Sequence, residues 1–231
     1  MSRAGATSVP RVDQFGDLVH RARALVPALG RAVLGIAGPP GAGKSTLAEA
    51  LVRELAATPP PGHDALWVAH VPMDGYHLAD VELARRGRLE AKGAPDTFDA
   101  HGYAALLERL GSSHPDEIVY APMFERELEQ PIAGAVPVPP TARLVVTEGN
   151  YLLVDDPAWQ RARSALTEVW FCVLGDEVRR DRLVRRHVRF GKSVDAARSW
   201  VQGTDEQNAA LVTATQDRAD LVVTPGAMPG P

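Results

Sequence analysis

The chain has 231 residues, 45% of them apolar and 23% charged, and a formal net charge of −4. It is long enough for one medium domain with a substantial core, and its charge balance gives no global attraction to nucleic acid or an anionic membrane. No stretch approaches the roughly 18 apolar residues of a membrane span; the N-terminus carries no apolar signal region and the single cysteine, Cys172, cannot form an internal disulfide, so a cytoplasmic protein is expected.

Residues 1–11 read as a loose tail. Between Val12 and Leu29 the apolar positions Phe15, Leu18, Val19, Ala22, Leu25 and Val26 recur at spacings of three and four, which predicts an amphipathic helix. "AVLGIAG" (32–38) is a short apolar run ending in glycine, a buried strand, and Lys44 to Ala57 reads as a helix closed by "TPPPGH". "LWVAHVPM" (66–73) predicts a second strand. Residues 79–99 are too polar and irregular for a core element, and 100–110 form a short helix. "EIVYAPMF" (117–124) reads as a strand and "QPIAGAVPVPPTA" (130–142) as a proline-rich crossing. "RLVVTEGNYLLV" and "EVWFCVL" each contain a strand, the second with Cys172 as a small core residue. Helices follow over 176–190, 193–202 and 205–217, then a last strand in "ADLVVT" and a second tail at 225–231. Strands alternating with helices predict a doubly wound, mostly parallel α/β sheet with helices on both faces. No repeat or linker divides the chain, so residues 1–231 are expected to form one domain.

"GPPGAGKST" places Gly38, Pro39, Pro40, Gly41, Ala42, Gly43, Lys44, Ser45 and Thr46 between a predicted strand and a predicted helix, and it fills the pattern G-x-x-x-x-G-K-[ST]. Glycines let the backbone wrap a polyphosphate with N–H groups inward, and the helix N-terminus adds a favourable dipole. Lys44 supplies a mobile positive charge to the β- and γ-phosphates, and Ser45 offers a hydroxyl to Mg²⁺. The motif implies binding of a nucleoside triphosphate and does not say where the γ-phosphate goes.

In an open parallel sheet, ligands bind beyond the carboxyl ends of the strands. Asp74, in "MDGYHL", and Glu148, after "RLVVT", both follow predicted strands. If those strands neighbour the first, both carboxylates face the γ-phosphate. An alcohol acceptor needs a base and Mg²⁺ needs oxygen ligands, so Asp74 is assigned as base and Glu148 to the metal side. A turn role for Asp74 before Gly75 is the plain alternative. Tyr76 and His77 extend from it toward the acceptor.

Residues 176–192 hold seven basic and three acidic side chains, a net +4 against −8 for the rest of the chain. On a helix, Arg179, Arg182, Arg185, Arg186 and Arg189 share one side, while Leu183, Val184, His187 and Val188 take the other. The arginines form either a solvated face or a lid closing over phosphates, and His187 is expected to pack.

With "GIAGPPGAGKST", "MDGYHL", "KGAPDTFD", "YAPMFERELEQPIAG", "TEGNYLL", "RLVRRHVRFGKS" and "TDEQNAALV" in this order, the chain from about Arg31 to Val223 resembles the P-loop small-molecule kinases of the uridine kinase, phosphoribulokinase and pantothenate kinase branch. It is most similar there to the nucleoside/nucleotide kinase or fructose-transport-system kinase subgroup. The resemblance implies a P-loop NTPase fold, ATP and Mg²⁺, a base at Asp74, a metal-side acid at Glu148, lid arginines among Arg182, Arg185 and Arg186, and Asn208 near the adenine. It also implies an aromatic-acid-arginine triplet at the acceptor. That triplet is Phe124-Glu125-Arg126 here, where relatives usually have aspartate in the middle, so Phe124 and Arg126 carry over and the acid's role does not. Tyr151, in "TEGNYLL", is placed on the acceptor side. The expected partner is a small hydroxyl compound, a nucleoside or sugar first and a pantothenate-like acid second, with no nucleic acid and no membrane. A homodimer stays open, as does a regulatory NTP-binding module without an acceptor.

Overall fold

A computed structural model describes residues 8–112 and 116–224. In chain order the elements are β1 (Arg11–Val12), α1 (Phe15–Ala24), β2 (Ala32–Ala37), α2 (Lys44–Ala57), β3 (Val68–His70), α3 (Asp80–Arg85), α4 (Ala100–Gly111), β4 (Val119–Glu125) and β5 (Gln130–Val138). They continue with β6 (Leu144–Glu148), α5 (Pro157–Ser164), β7 (Glu168–Cys172), α6 (Asp176–Arg189), α7 (Val194–Trp200), α8 (Glu206–Thr213) and β8 (Leu221–Val223). Six strands form one sheet in the order β1-β8-β7-β2-β6-β3, and every pair is parallel.

Strand alternation divides the core into two layers. Val33 and Ala37 of β2, Val145 of β6, and Val169 and Phe171 of β7 point to one face, where Tyr103 and Leu107 of α4 and Trp159 of α5 cover them. Leu34, Ile36, Val146, Trp170 and Cys172 point to the other, against Leu18 of α1 and Leu47, Leu51 and Leu55 of α2. Cys172 is buried, as expected of a small core residue. Among the described residues no helix is long and apolar enough to cross a membrane.

Four expectations change. Arg11, assigned to the N-terminal tail, pairs with Val222 at the sheet edge, and residues 1–7 and 225–231 lie outside the described residues. The first helix starts only at Phe15, because Val12 is taken by β1, and it ends at Ala24, short of Pro27. "EIVYAPMF" does not join the main sheet. It pairs antiparallel with "QPIAGAVPV", and the predicted crossing is thus the second strand of a separate hairpin. Pro131 and Pro137 fit there because a two-stranded hairpin leaves one edge of each strand unpaired. The helices after α6 are joined by a π-helical turn at Val201–Asp205.

That hairpin crosses the segment carrying Asp74. Asp74 sits in a 3₁₀ turn, Met73–Tyr76, beyond β3. A Cβ built on Gly75 would stand 2.4 Å from the carbonyl oxygen of Pro122 in β4. Backbone lies against backbone here, which a side chain forbids. Gly75→Ala should therefore destabilise the protein by about 1–3 kcal/mol, the usual range for overpacking, and lower turnover with it. Denaturant midpoints of the two proteins test this, and equal midpoints would show that the crossing can relax.

Candidate active site

The phosphate loop joins β2 to α2. Gly41 has φ +79°, and a Cβ there would meet the Arg179 carbonyl oxygen at 2.9 Å, so glycine is required for α6 to lie against the loop. Arg179 fixes that contact. Its side chain is buried, ion-paired with Asp176 and with Glu206 of α8, and its Nη1 donates to the Pro40 carbonyl at 3.5 Å. The sequence groups Arg179 with the lid arginines; it instead anchors the loop.

Lys44 is the second anchor. It is 7% exposed, and its Nζ donates to Asn150 Oδ1 at 2.6 Å and to the Pro39 carbonyl at 3.2 Å. Burial pushes its pKa down, while Glu148 and Asp74 hold it up. Ser45 Oγ donates to Glu148 Oε1 at 3.1 Å. Glu148 ends β6 in register with Ile36 of β2, and β3, which leads to Asp74, lies on the far side of β6. The strand order β2-β6-β3 thus brings both carboxylates to the end of the sheet that holds the phosphate loop.

The two acids differ in environment. Burial, and then the negative charge of Asp74, raise Glu148 to about 7 against the opposing pull of Lys44 and Ser45. Burial would raise Asp74 too, but His77, Arg126, Arg186 and Lys44 outweigh it and hold it below the ordinary aspartate value. Burial also lowers His77, while the negative charge of Asp74 holds it up. Arg126 Nη2 lies 3.2 Å from Asp74 Oδ2.

These groups line a cleft of about 400 Å³. Its lining includes His77, Phe98, Phe124 and Lys92. The His77 ring lies 4.0 Å from Phe98 and 4.6 Å from Phe124 between centroids, and Lys92 Nζ is 5.4 Å from the centre of Phe124. Arg186, His187, Trp200, Asp205 and Asn208 also line it, with His187 Nε2 2.8 Å from Asp205 Oδ2.

Several assignments need correction. Tyr76 does not line the cleft; it packs into the core 5.4 Å from the Tyr103 ring, because successive side chains of a 3₁₀ turn diverge by about 120° and the backbone becomes extended at His77. Tyr151 is fully buried between Phe98 and Trp159 and reaches the acceptor side only through its hydroxyl, which donates to the Gly93 carbonyl. Arg182 and Arg185 do not line the cleft, and Arg185 pairs with Asp181. His187, expected to pack, does line it. The inward arc of α6 runs through Arg179, Leu183, Arg186 and His187, rotated from the arginine stripe, because Leu183 must enter the core. Arg186, pushed down by burial and by Arg126, is the arginine of that stripe that faces the cleft. Asn150, Lys92 and Trp200 were not singled out in the sequence. Asn150 stands two residues beyond Glu148 in "TEGN", which was the available signal.

The chain is similar to known proteins. The model of the family described as "Phosphoribulokinase / Uridine kinase family" matches residues 33–228. The chain is 33% identical over 186 residues to a candidate uridine kinase of Schizosaccharomyces pombe, covering 79% of this chain and 77% of that one. It is 33% identical over 193 residues to the uncharacterized protein YggC of Escherichia coli, covering 84% and 77%. The crystal structure of a candidate fructose transport system kinase from Silicibacter sp. TM1040 matches with a TM-score of 0.80 at 35% identity, covering 90% of this chain and 98% of that one.

The raised Glu148 carries a pH signature. A carboxyl whose pKa climbs on folding from 4.5 to about 7 costs no stability below the lower value and its full penalty above the upper one. In buffer free of divalent cations, Glu148→Gln should therefore be more stable than the wild type at pH 8, on the order of 1–3 kcal/mol. The gap should close toward pH 4.5. Melting curves across that window decide it, and parallel curves would show that Glu148 is ionised throughout.

Proposed function

Because the chain belongs to the phosphoribulokinase / uridine kinase family, we propose that it transfers the γ-phosphoryl group of ATP to a hydroxyl of a small polar metabolite, a nucleoside or sugar being the first class to test. The observation that carries this reading is one cleft holding Lys44, the Ser45–Glu148 pair, and Asp74 ion-paired to Arg126. A module that only bound nucleotide would not need a base held ionised beside the phosphate loop.

In this reading Asp74 takes the proton of the acceptor hydroxyl as the phosphoryl group leaves ADP. Its depressed pKa keeps it a carboxylate at neutral pH, and Arg126 fixes one of its oxygens, leaving the other for the acceptor. Lys44 and Arg186 meet the negative charge spread over the phosphoryl oxygens. Closure of α6 would bring Arg186 over that group and exclude water.

Among the described residues no cluster of three or more His, Cys, Asp or Glu is arranged to hold a metal. Mg²⁺ does not require one, since it keeps several waters and uses one or two protein oxygens beside phosphates. The Ser45 hydroxyl and the Glu148 carboxylate fit that need: a carboxylate strained upward by burial and by Asp74 gains from a cation beside it. When bound, Mg²⁺ would neutralise phosphate oxygens.

A coupled ADP assay over nucleosides, sugars and pantothenate-like acids tests the proposal. Slow ATP hydrolysis that no alcohol stimulates would instead favour a regulatory module. Asp74→Asn should lower kcat by roughly 10²–10⁴-fold with nucleotide affinity nearly unchanged, and wild-type turnover would remove Asp74 from the base role. Lys44→Ala should abolish transfer and weaken ATP binding. Arg186→Ala should lower kcat more than it weakens ATP, whereas Arg182→Ala should stay within about twofold of wild type. Equal losses in the two arginine variants would mean that both enter the closed cleft.

A further inference from the structure

The turn after β6 holds both halves of the cleft with adjacent residues. Asn150 accepts from Lys44 at 2.6 Å, and the Tyr151 hydroxyl donates to the Gly93 carbonyl. Asn208 Nδ2, on α8, donates to the same carbonyl at 3.3 Å. A carbonyl oxygen has two lone pairs, so two donors from separate elements saturate it.

Gly93 opens a segment that has no ladder to the main sheet. Its N–H donates to Thr97 Oγ1 at 2.9 Å, and the buried Thr97 hydroxyl donates to the Ala94 carbonyl at 2.7 Å. The segment is stitched to the stretch following Asp74 by Leu78 N–H to the Thr97 carbonyl and Asp99 N–H to the Tyr76 carbonyl, at 2.9 and 2.8 Å. Lys92, just before it, reaches Asp80 and the Glu129 carbonyl of the hairpin. Phe98, near its end, lies against His77. Packing accounts for the Tyr151 ring, which lies 5.5 Å from both Phe98 and Trp159. It does not account for the hydroxyl, which meets the Gly93 carbonyl and the Asn150 side chain rather than the core around the ring.

We propose that Tyr151 and Asn208 are positioning residues for the acceptor: they fasten segment 92–99 at the Gly93 carbonyl and so set Lys92 against Phe124 and Phe98 against His77 in the cleft. This rests on the phosphotransfer reading above and gives Asn208 a task other than reading the nucleotide base. Because Asn150 and Tyr151 are adjacent, the cation of the phosphate loop and the acceptor segment are referred to one rigid turn.

Tyr151→Phe keeps the ring and removes only the donor. Hydrogen exchange on the full chain needs no acceptor. The amides of Gly93, Ala94 and Thr97 should exchange about threefold or more faster in Tyr151→Phe and in Asn208→Ala, and faster still in the double variant, while α4 is unchanged. With an acceptor in hand, its KM should rise roughly 3- to 10-fold in each single variant, the scale of one lost hydrogen bond, with Tm and the KM for ATP near wild type. Unchanged exchange at Gly93, Ala94 and Thr97 would overturn the proposal. So would a fall in Tm with the acceptor KM unmoved, or a rise confined to the KM for ATP in Asn208→Ala. A wild type with no acceptor-stimulated ADP formation would sink the phosphotransfer reading instead, and the exchange experiment would still decide the fastening.

Discussion

The buried ammonium of Lys44 is the constraint on which the site depends. An isolated charge in a protein interior is expensive, and it persists only where hydrogen-bond acceptors and opposite charge surround it. Here two neutral oxygens, from Pro39 and Asn150, accept directly, and Glu148 and Asp74 supply negative charge nearby without a direct ion pair. A strong bond to either carboxylate would tie up the cation that a polyphosphate needs. Neutral acceptors hold Lys44 in place and leave its charge for the ligand. The parallel strand order β2-β6-β3 makes this arrangement reachable, because adjacent strand ends deliver the lysine and both acids to one edge.

The same crowding separates the two acids. Glu148 is deep and close to Asp74, so burial dominates and its pKa climbs. Asp74 sits nearer the opening with His77, two guanidiniums and Lys44 about it, and they hold its pKa low. Two carboxylates with pKa values driven apart suit two tasks: a persistent anion to take a proton, and a buried group that gains from a cation. Arg126 comes from the hairpin, and Gly75 is what allows the hairpin backbone to cross beneath Asp74. The hairpin is therefore a working part of the cleft, although it contributes nothing to the main sheet.

Helix α6 serves in two ways along its length. Its first two turns are structural: Arg179 and Leu183 lock it to the phosphate loop and the core. Its later turns present Arg186 and His187 to the cleft, with His187 braced by Asp205 from the π-helical turn. A helix fixed at one end and open at the other is suited to closing over a ligand, since its movable end gives up few buried contacts.

The sequence by itself determined the phosphate loop, the alternating elements, the parallel sheet and the roles open to Asp74, Glu148, Ser45 and Lys44. Those features are local, being spacing within one motif or strand period, and they need no knowledge of what lies opposite. Tertiary structure alone decided which side of a helix or turn each neighbouring side chain occupies. Tyr76 was read beside His77, yet Tyr76 ends a 3₁₀ turn facing the core and His77, extended just beyond it, faces the cleft. The arginine stripe of α6 was legible as a charge count, but the rotation that admits Arg186 and excludes Arg182 was set by Leu183 entering the core. The second hairpin strand was hidden because proline and glycine mark a crossing when read locally, and only its partner β4 makes "QPIAGAVPV" a strand. Asn150 had only its place in "TEGN" to mark it, and Lys92 and Trp200 gave no sequence signal of their own, since their importance lies in distances to groups far along the chain. Such distances are fixed by packing, which a single sequence does not display.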